Sequence, residues 1–292
     1  MTEKNLPLIE EIKYIRKKYK FETSKRLGQN FLINESVVEG IIESAGVKDS
    51  IVIEIGPGIG TLTARLAKEA RQVIAVELDE RLIPILKDRF SHYPNVEIIH
   101  GDILEVDLEK ICESIQEHYK NHPIKIIGNL PYYITTPIIL KLIKREIPVE
   151  SIVIMIQKEV AERIIAEPGS NKCGAITYAV HYYSVPSSIM EVKKESFYPK
   201  PKVDSMVIEL NLRKEKAVFT DDEKQFFRII NSGFMHRRKT LLNALQSMGE
   251  YSKDELREAL SSSNIEERRR AESLSLQEFA NLTNKLTREK DQ

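Results

Sequence analysis

Ile51-Val52-Ile53-Glu54-Ile55-Gly56-Pro57-Gly58-Ile59-Gly60 is the stretch on which the fold turns. A short, continuously apolar run, suited to a strand buried on both faces, leads into three glycines, and a helical pattern from Thr61 to Glu69 follows. Glycine at a strand-to-helix turn lets the backbone approach a ligand without side-chain obstruction. A dinucleotide fingerprint, G-x-G-x-x-G, would need glycine at position 61, where Thr61 stands. The spacing G-x-G-x-G, with Glu54 two residues upstream, favours S-adenosylmethionine (SAM), a cofactor with no pyrophosphate to cradle. A glycine turn beside ordinary surface acids is the plainer alternative.

Outward from this loop the chain alternates apolar runs with helical stretches, as a parallel βαβ sheet requires. Asn34 is placed to cap a helix ending at Ala45, with Gly46 to stop it. Strands are predicted at 51–55, 73–77, 96–99, 124–128 and 152–156, with helices between them such as 61–69 and 136–144. Residues 176–183, 188–192 and 204–212 then read as strands with no helix between them, which gives the sheet an antiparallel edge. After Arg213 the period becomes helical at 221–232, 237–247, 253–261 and 276–286, and all twelve prolines lie before residue 202. The organisation expected is a basic extension over 1–24, an α/β domain over 25–213 and a smaller all-α domain over 214–292.

Composition narrows the class. The 292 residues are 41% hydrophobic and 30% charged, which suits a globular chain and excludes collagen, coiled-coil and disordered readings. No apolar run reaches the roughly 18 to 20 residues of a membrane span, and the N-terminus lacks a signal-peptide core. A cytoplasmic protein is expected. Cys112 and Cys173, 61 positions apart, support neither a disulfide framework nor a thiolate metal site, and the six histidines show no metal spacing. No metal is expected. The zero net charge is a sum of unlike parts: residues 1–30 carry eight Lys/Arg against four Asp/Glu, residues 31–110 eight against fifteen, and residues 193–240 twelve against seven. Two basic segments around an acidic one suggest a polyanion gripped locally, although any single run also suits a solvated face.

Three further positions carry chemistry. Glu77 ends the second strand 21 residues after Gly56, the distance at which a carboxylate accepts from ribose hydroxyls. Asp102, after Gly101, suits an adenine amino group. Asn129-Leu130-Pro131-Tyr132 follows the fourth strand, at the sheet edge where open α/β folds place their sites. An exocyclic adenine amine is a poor nucleophile because its lone pair is delocalised into the ring. Two acceptors on its N–H groups, the Asn129 side-chain oxygen and the Leu130 carbonyl, would draw the nitrogen toward tetrahedral geometry. Pro131 fixes the backbone, and Tyr132 offers a face for an extruded base. The same four residues also suit a proline turn closing a strand.

Together these blocks resemble the ribosomal-RNA adenine dimethyltransferase family, most closely its bacterial branch acting on small-subunit (16S) RNA. The resemblance runs from about Lys25 to Phe279. Besides the segments above it rests on Lys25-Arg26-Leu27-Gly28-Gln29-Asn30-Phe31-Leu32, on Phe197-Tyr198-Pro199-Lys200-Pro201-Lys202-Val203-Asp204-Ser205 and on Phe234-Met235-His236-Arg237-Arg238-Lys239-Thr240. It implies a Rossmann-like SAM-dependent methyltransferase sheet with a helical RNA-binding domain. It implies that Asn30 and Leu32 fold over SAM, that Gly56 and Gly58 lie beneath it, that Glu77 and Asp102 hold ribose and adenine, and that Asn129 sits between cofactor and target base. Phe197 is similar to the aromatic facing Tyr132 across the flipped adenine, and it also reads as a core aromatic beside a proline turn. Arg237, Arg238 and Lys239, opening a helix against its dipole, suggest phosphate contacts or else a solvated basic face.

The implied reaction makes N6,N6-dimethyladenosine at two adjacent adenines in a hairpin loop near the 3′ end of 16S RNA. The implied partners are the small-subunit RNA and a pre-ribosomal small subunit, met by a monomer. Two alternatives are an erythromycin-resistance type enzyme acting on 23S RNA and an assembly factor that binds RNA without turnover. Arg270-Ala271-Glu272-Ser273-Leu274-Ser275 and Phe279 resemble the small-subunit branch. A DNA adenine methyltransferase fits less well, because Leu130 replaces the proline usual there.

Overall fold

A computed structural model describes residues 6–24, 26–144, 147–236 and 238–290; Lys25, where the α/β domain is expected to begin, and Arg237 of the basic run lie outside them. In chain order the elements are α1 (Leu8–Lys18), β1 (Phe31–Leu32), α2 (Glu35–Ala45), β2 (Ile51–Ile55), α3 (Thr63–Glu69), β3 (Gln72–Glu77), α4 (Ile83–Arg89), β4 (Val96–His100), α5 (Leu108–His118), β5 (Ile124–Asn129), α6 (Thr135–Lys144) and β6 (Val149–Gln157). After them come α7 (Lys158–Ile165), α8 (Ala175–Tyr183), β7 (Ser184–Val192), β8 (Phe197–Tyr198), β9 (Ser205–Leu212), α9 (Glu223–Met235), α10 (Leu241–Gln246), α11 (Lys253–Ser262) and α12 (Leu276–Lys290). The chain divides into two compact units, 1–161 with 187–212, and 162–186 with 213–292. Residues 162–186, expected in the α/β domain, therefore belong to the second unit.

A seven-stranded sheet of order β4-β3-β2-β5-β6-β9-β7 organises the first unit. β2, β3, β4, β5 and β6 pair in parallel, and β9 runs antiparallel to β6, which supplies the expected antiparallel part. All five residues of β2 are buried, as a central strand with both faces covered requires. On one face Val38, Ile41 and Ile42 of α2 join Val52, Val73, Ile127 and Val153 in a single apolar cluster. Asn34 caps α2 by accepting from the Val37 amide at 3.4 Å, and Gly46 ends it at φ +54, the left-handed value glycine adopts cheaply. A second cluster joins Ile12 and Ile15 of α1 to Phe31, Ile59, Leu86 and Phe90. A small antiparallel ladder, β1 with β8, sets Phe31 opposite Tyr198 and Leu32 opposite Phe197.

Two expectations fail in the second unit. Residues 176–183 form helix α8 where a strand is predicted. Thr177, Tyr178, Ala179, Val180 and Tyr182 are all buried, so the segment is apolar nearly all round and shows no polar phase from which a period could be read. The Gly174 amide donates to Thr177 Oγ1 at 2.9 Å and starts the helix. Tyr178 and Tyr182 enter a core with Phe226, Leu241, Leu256 and Phe279. The helix predicted from residue 237 begins instead at Leu241, with Thr240 in extended conformation as its cap and the Leu241 amide donating to the Arg269 carbonyl at 2.8 Å. Arg238 and Lys239 thus occupy an exposed turn ahead of the helix, and the dipole cost expected for them does not arise. α11 opens with a reciprocal cap: the Ser252 amide donates to Glu255 Oε2 at 2.6 Å and the Glu255 amide to Ser252 Oγ at 3.2 Å.

Candidate active site

The glycine loop leaves β2 through three left-handed residues, Gly56 (φ +67), Gly58 (φ +61) and Gly60 (φ +89). Each has a different neighbour. A Cβ on Gly60 would lie 2.5 Å from Phe90 Cε2, and one on Gly58 would lie 2.9 Å from Phe31 Cε1, so these two glycines admit packed rings. A Cβ on Gly56 would meet nothing nearer than the Asn129 carbonyl at 3.8 Å; here it is the backbone conformation that requires glycine. The loop is pinned by the Gly56 amide donating to the Val76 carbonyl at 2.9 Å and by the Gly58 amide donating to Glu77 Oε2 at 3.0 Å.

Above the loop lies an open cleft. Its walls include Asn30, Leu32, Gly56, Gly58, Glu77, Asp102, Asn129, Leu130, Pro131 and Tyr132, so blocks separated by up to 102 residues in sequence meet at one place. Its floor is acidic. Glu54 is 1% exposed, accepts from the Thr63 hydroxyl at 2.6 Å through Oε2, and has no partner for Oε1 among the described residues. Burial pushes its carboxyl up to about 8; the Thr63 bond draws it back and the Glu77 charge raises it further. Burial likewise pushes Glu77 up to about 7, against the pull of amides including those of Asp79 and Gly58. Asp102 accepts from the Leu104 amide at 2.8 Å, which fixes its carboxylate at the end of β4.

Asn129 ends β5 with its amide group oriented. Nδ2 donates to the Asn30 carbonyl at 3.1 Å, and Asn30 Nδ2 in turn donates to the Gly28 carbonyl at 3.0 Å. Neither Asn129 Oδ1 nor the Leu130 carbonyl accepts a hydrogen bond among the described residues, whereas the next carbonyl, that of Pro131, takes the Thr135 hydroxyl at 3.0 Å. Two acceptors are left unspent beside the cleft. Tyr132 is half-buried and anchored at its rim by a 2.8 Å bond between its hydroxyl and Ser205 Oγ, and burial raises its phenol.

Phe197 is the residue the structure does not bring to the cleft. It is 2% exposed and packs in the cluster of Leu32, Val37, Val153 and Val207, so the core reading of this aromatic is the one realised and a sandwich with Tyr132 is absent. The face that β8 presents is fixed by its pairing with β1, which no local pattern announces. Arg238 and Lys239 belong to the second unit and are not among the residues that line the cleft.

Three features went unforeseen. In the sequence Glu54 marks only the spacing of the glycine loop. Tyr133, 55% exposed, lines the cleft with its ring against Gly28, where a Cβ would come within 3.8 Å of Cδ1. Gln29 donates to Asp79 Oδ2 at 2.8 Å, tying the Asn30 segment to the loop after β3. Burial opposes ionisation of Asp79, but its bonds from Arg81 and Gln29 hold the carboxyl below the usual range. Only a second aromatic following Tyr132 was there to be noticed; the other two depend on tertiary contacts.

Residues 20–288 match the model of the ribosomal RNA adenine dimethylase family. The chain belongs to that family. It is 47% identical over 273 residues to the ribosomal RNA small subunit methyltransferase A of Alkaliphilus metalliredigens, covering 93% of this chain and 94% of the relative. It is 45% identical to the protein of the same name from Clostridioides difficile, covering 93% of each. Among solved structures it is similar to a dimethyladenosine transferase from Plasmodium falciparum, with TM-score 0.73, 26% identity, and coverage of 89% of this chain and 98% of the other. The 23S rRNA methyltransferase ErmE, at TM-score 0.65 and 24% identity, shares the fold over 88% of this chain and 100% of its own.

As a ribosomal RNA adenine dimethylase the protein is a methyltransferase whose cofactor is SAM. The cleft suits that molecule chemically. SAM is cationic at its sulfonium and ammonium groups and offers hydroxyl and amine donors, and the cleft answers with three carboxyl groups, one of which holds a buried oxygen without a donor among the described residues. Among the described residues no basic side chain lines it, as a pyrophosphate would favour.

Proposed function

We propose that this dimethylase methylates N6 of two adjacent adenines in a hairpin loop near the 3′ end of small-subunit (16S) RNA, giving N6,N6-dimethyladenosine. It would do so in the cytoplasm, as a monomer acting on a pre-ribosomal small subunit. The reading rests most on one observation: Asn129 spends its amide donor on Asn30 and leaves Oδ1, with the Leu130 carbonyl, to accept from a substrate amine. Asn129 and Leu130 both line the cleft, where a turn built only to close a strand needs no spare acceptors. The small-subunit assignment is supported by the relatives, both of which are named for that RNA.

In this reading Glu77 holds the ribose, Asp102 the adenine amine and Glu54 the ammonium, while Asn30 and Leu32 cover the bound molecule and Gly56 and Gly58 lie under it. SAM supplies a methyl already activated by its sulfonium. The chain's own residues align and desolvate. Asn129 and Leu130 orient the amine and favour its lone pair, Pro131 fixes the carbonyl, and Tyr132 with exposed Tyr133 supplies stacking faces for bases that a single-stranded loop splays out at low cost. No general base is called for, since the proton is lost from an already cationic nitrogen. Arg238 and Lys239, with Arg237, serve as phosphate contacts of the helical unit.

The test compares wild type with Asn129→Ala on unmodified small and large ribosomal subunits, using labelled methyl donor. Wild type should label small-subunit adenines. The variant should lose transfer by at least 100-fold while keeping most RNA affinity, because the acceptor acts mainly on the transition state. Label in large-subunit RNA alone would assign the chain to the 23S type, and single-turnover rates near wild type in the variant would remove Asn129 from the chemistry.

A further inference from the structure

The N-terminal helix remains without a role. We propose that the shallow basic pocket at the C-terminal end of α1, formed by Lys13, Arg16, Lys17 and Lys20, is a docking site for the RNA phosphate backbone. The inference rests on the reading of RNA as substrate and adds a surface to it.

α1 is fixed in rotation by Leu8, Ile12 and Ile15, which are buried. Lys13 is three residues from Arg16 and four from Lys17, so these side chains share one face of α1, and with Lys20, just past the helix, they line a single concavity with Phe21 and Glu22. Among the described residues Glu22 is the only acid in that lining. Nearby cations are differently placed: Lys18 is tied to Asp88 at 3.0 Å, whereas Lys17 and Lys20 form no ion pair among the described residues. Among the described residues Lys13 pairs only with Glu10, an exposed partner, at 2.8 Å.

Like charges at these spacings repel and cost helix stability. Attraction to the helix dipole accounts for cations in the last turn of α1, but Lys13 lies above that turn and Lys20 lies past the helix, in the left-handed region at φ +50. An anion seated among the four would relieve the repulsion. A polyanion is the occupant to which the charge is complementary, and the family's substrate is one. The position is also apt. Arg16 Nη1 donates to the Tyr198 hydroxyl at 2.6 Å, Tyr198 stands opposite Phe31 in the β1/β8 ladder, and Phe31 packs over Gly58 of the cofactor loop. RNA held here lies a short chain of packed residues from the cleft.

The test uses full-length protein and a fluorescent hairpin RNA of the small-subunit sequence, with affinity measured by anisotropy between 50 and 200 mM KCl. Combining Lys13→Gln, Lys17→Gln and Lys20→Gln should flatten the slope of log affinity against log salt by about two, at roughly 0.7 per lost single-strand phosphate contact. SAM affinity by calorimetry should not change, which separates lost docking from a damaged fold. If the triple variant does not fold, Lys17→Gln alone decides, with an expected flattening of about 0.7. An unchanged slope overturns the proposal, including the case in which the variant fails only on whole subunits, which would give this face to a ribosomal protein. Failure of wild type to methylate RNA at all would instead strike the functional reading.

Discussion

At the scale of single residues, the acids under the cleft set the most specific expectations. The folded Glu54 value of about 8 lies above the ordinary 4.5, so the native protein binds this proton more tightly than the unfolded chain does. That contribution is complete below about pH 4.5 and is lost as the pH climbs through 8. Glu54→Gln keeps an oxygen for Thr63 and carries no charge. It should therefore melt higher than wild type at pH 9, by on the order of a few kcal/mol, with the gap closing below pH 5. Differential scanning calorimetry of the ligand-free protein across that range checks it, and a gap independent of pH would mean that the carboxyl is solvated. Glu77→Ala removes the carboxyl that the proposed reading gives to the ribose and that accepts from the Gly58 and Asp79 amides. SAM affinity should fall by roughly 1.5 to 3 kcal/mol, about 10- to 100-fold, in a calorimetric titration. Unchanged affinity would take Glu77 out of the site.

Elements expose a different kind of dependence. Phe197→Ala empties a filled position between β8 and the sheet and should cost about 3 to 5 kcal/mol in urea unfolding, as large-to-small core changes do. A variant of normal stability that has lost transfer would show that Phe197 works at the base and not in the core. The strands of the parallel sheet, the cap at Asn34 and the stop at Gly46 were legible because each is signalled locally, by a run of apolar residues or by one capping side chain. α8 was not, since Ile176 to Tyr183 has the β-branched and aromatic content of a strand and is buried on almost every side. Nor was the start of α10, because the Leu241 amide is bound by Arg269, 28 residues downstream. The cleft was legible wherever a residue's role follows from its own backbone position, as with Gly56 and Asn129. It was obscure where a partner from another element decides, as with Phe197, Gln29 and the unpaired oxygen of Glu54.

For the molecule as a whole, the expected product follows from two acceptors serving one amine. In the proposed site a single N–H remains for Asn129 and Leu130 after the first transfer, and the added methyl would lie near the other acceptor. Both steps should still complete, so exhaustive reaction should yield N6,N6-dimethyladenosine with the monomethyl form as a transient. Mass spectrometry of digested small-subunit RNA reads this directly, and a monomethyl end point would show that the site cannot accommodate the second step. The division into units has a consequence of another kind, for biosynthesis. α8 belongs to the core of the second unit, yet α12 follows it by 93 residues. At about 5 to 20 residues per second, Tyr178 and Tyr182 leave the ribosome roughly 5 to 20 seconds before the last of their packing partners. The first unit cannot close before β9 arrives either, because β9 lies between β6 and β7 in the sheet. A nascent chain stalled near residue 200 thus holds two unfinished cores at once, which makes this interval the stage of its life most exposed to aggregation and most in need of a chaperone.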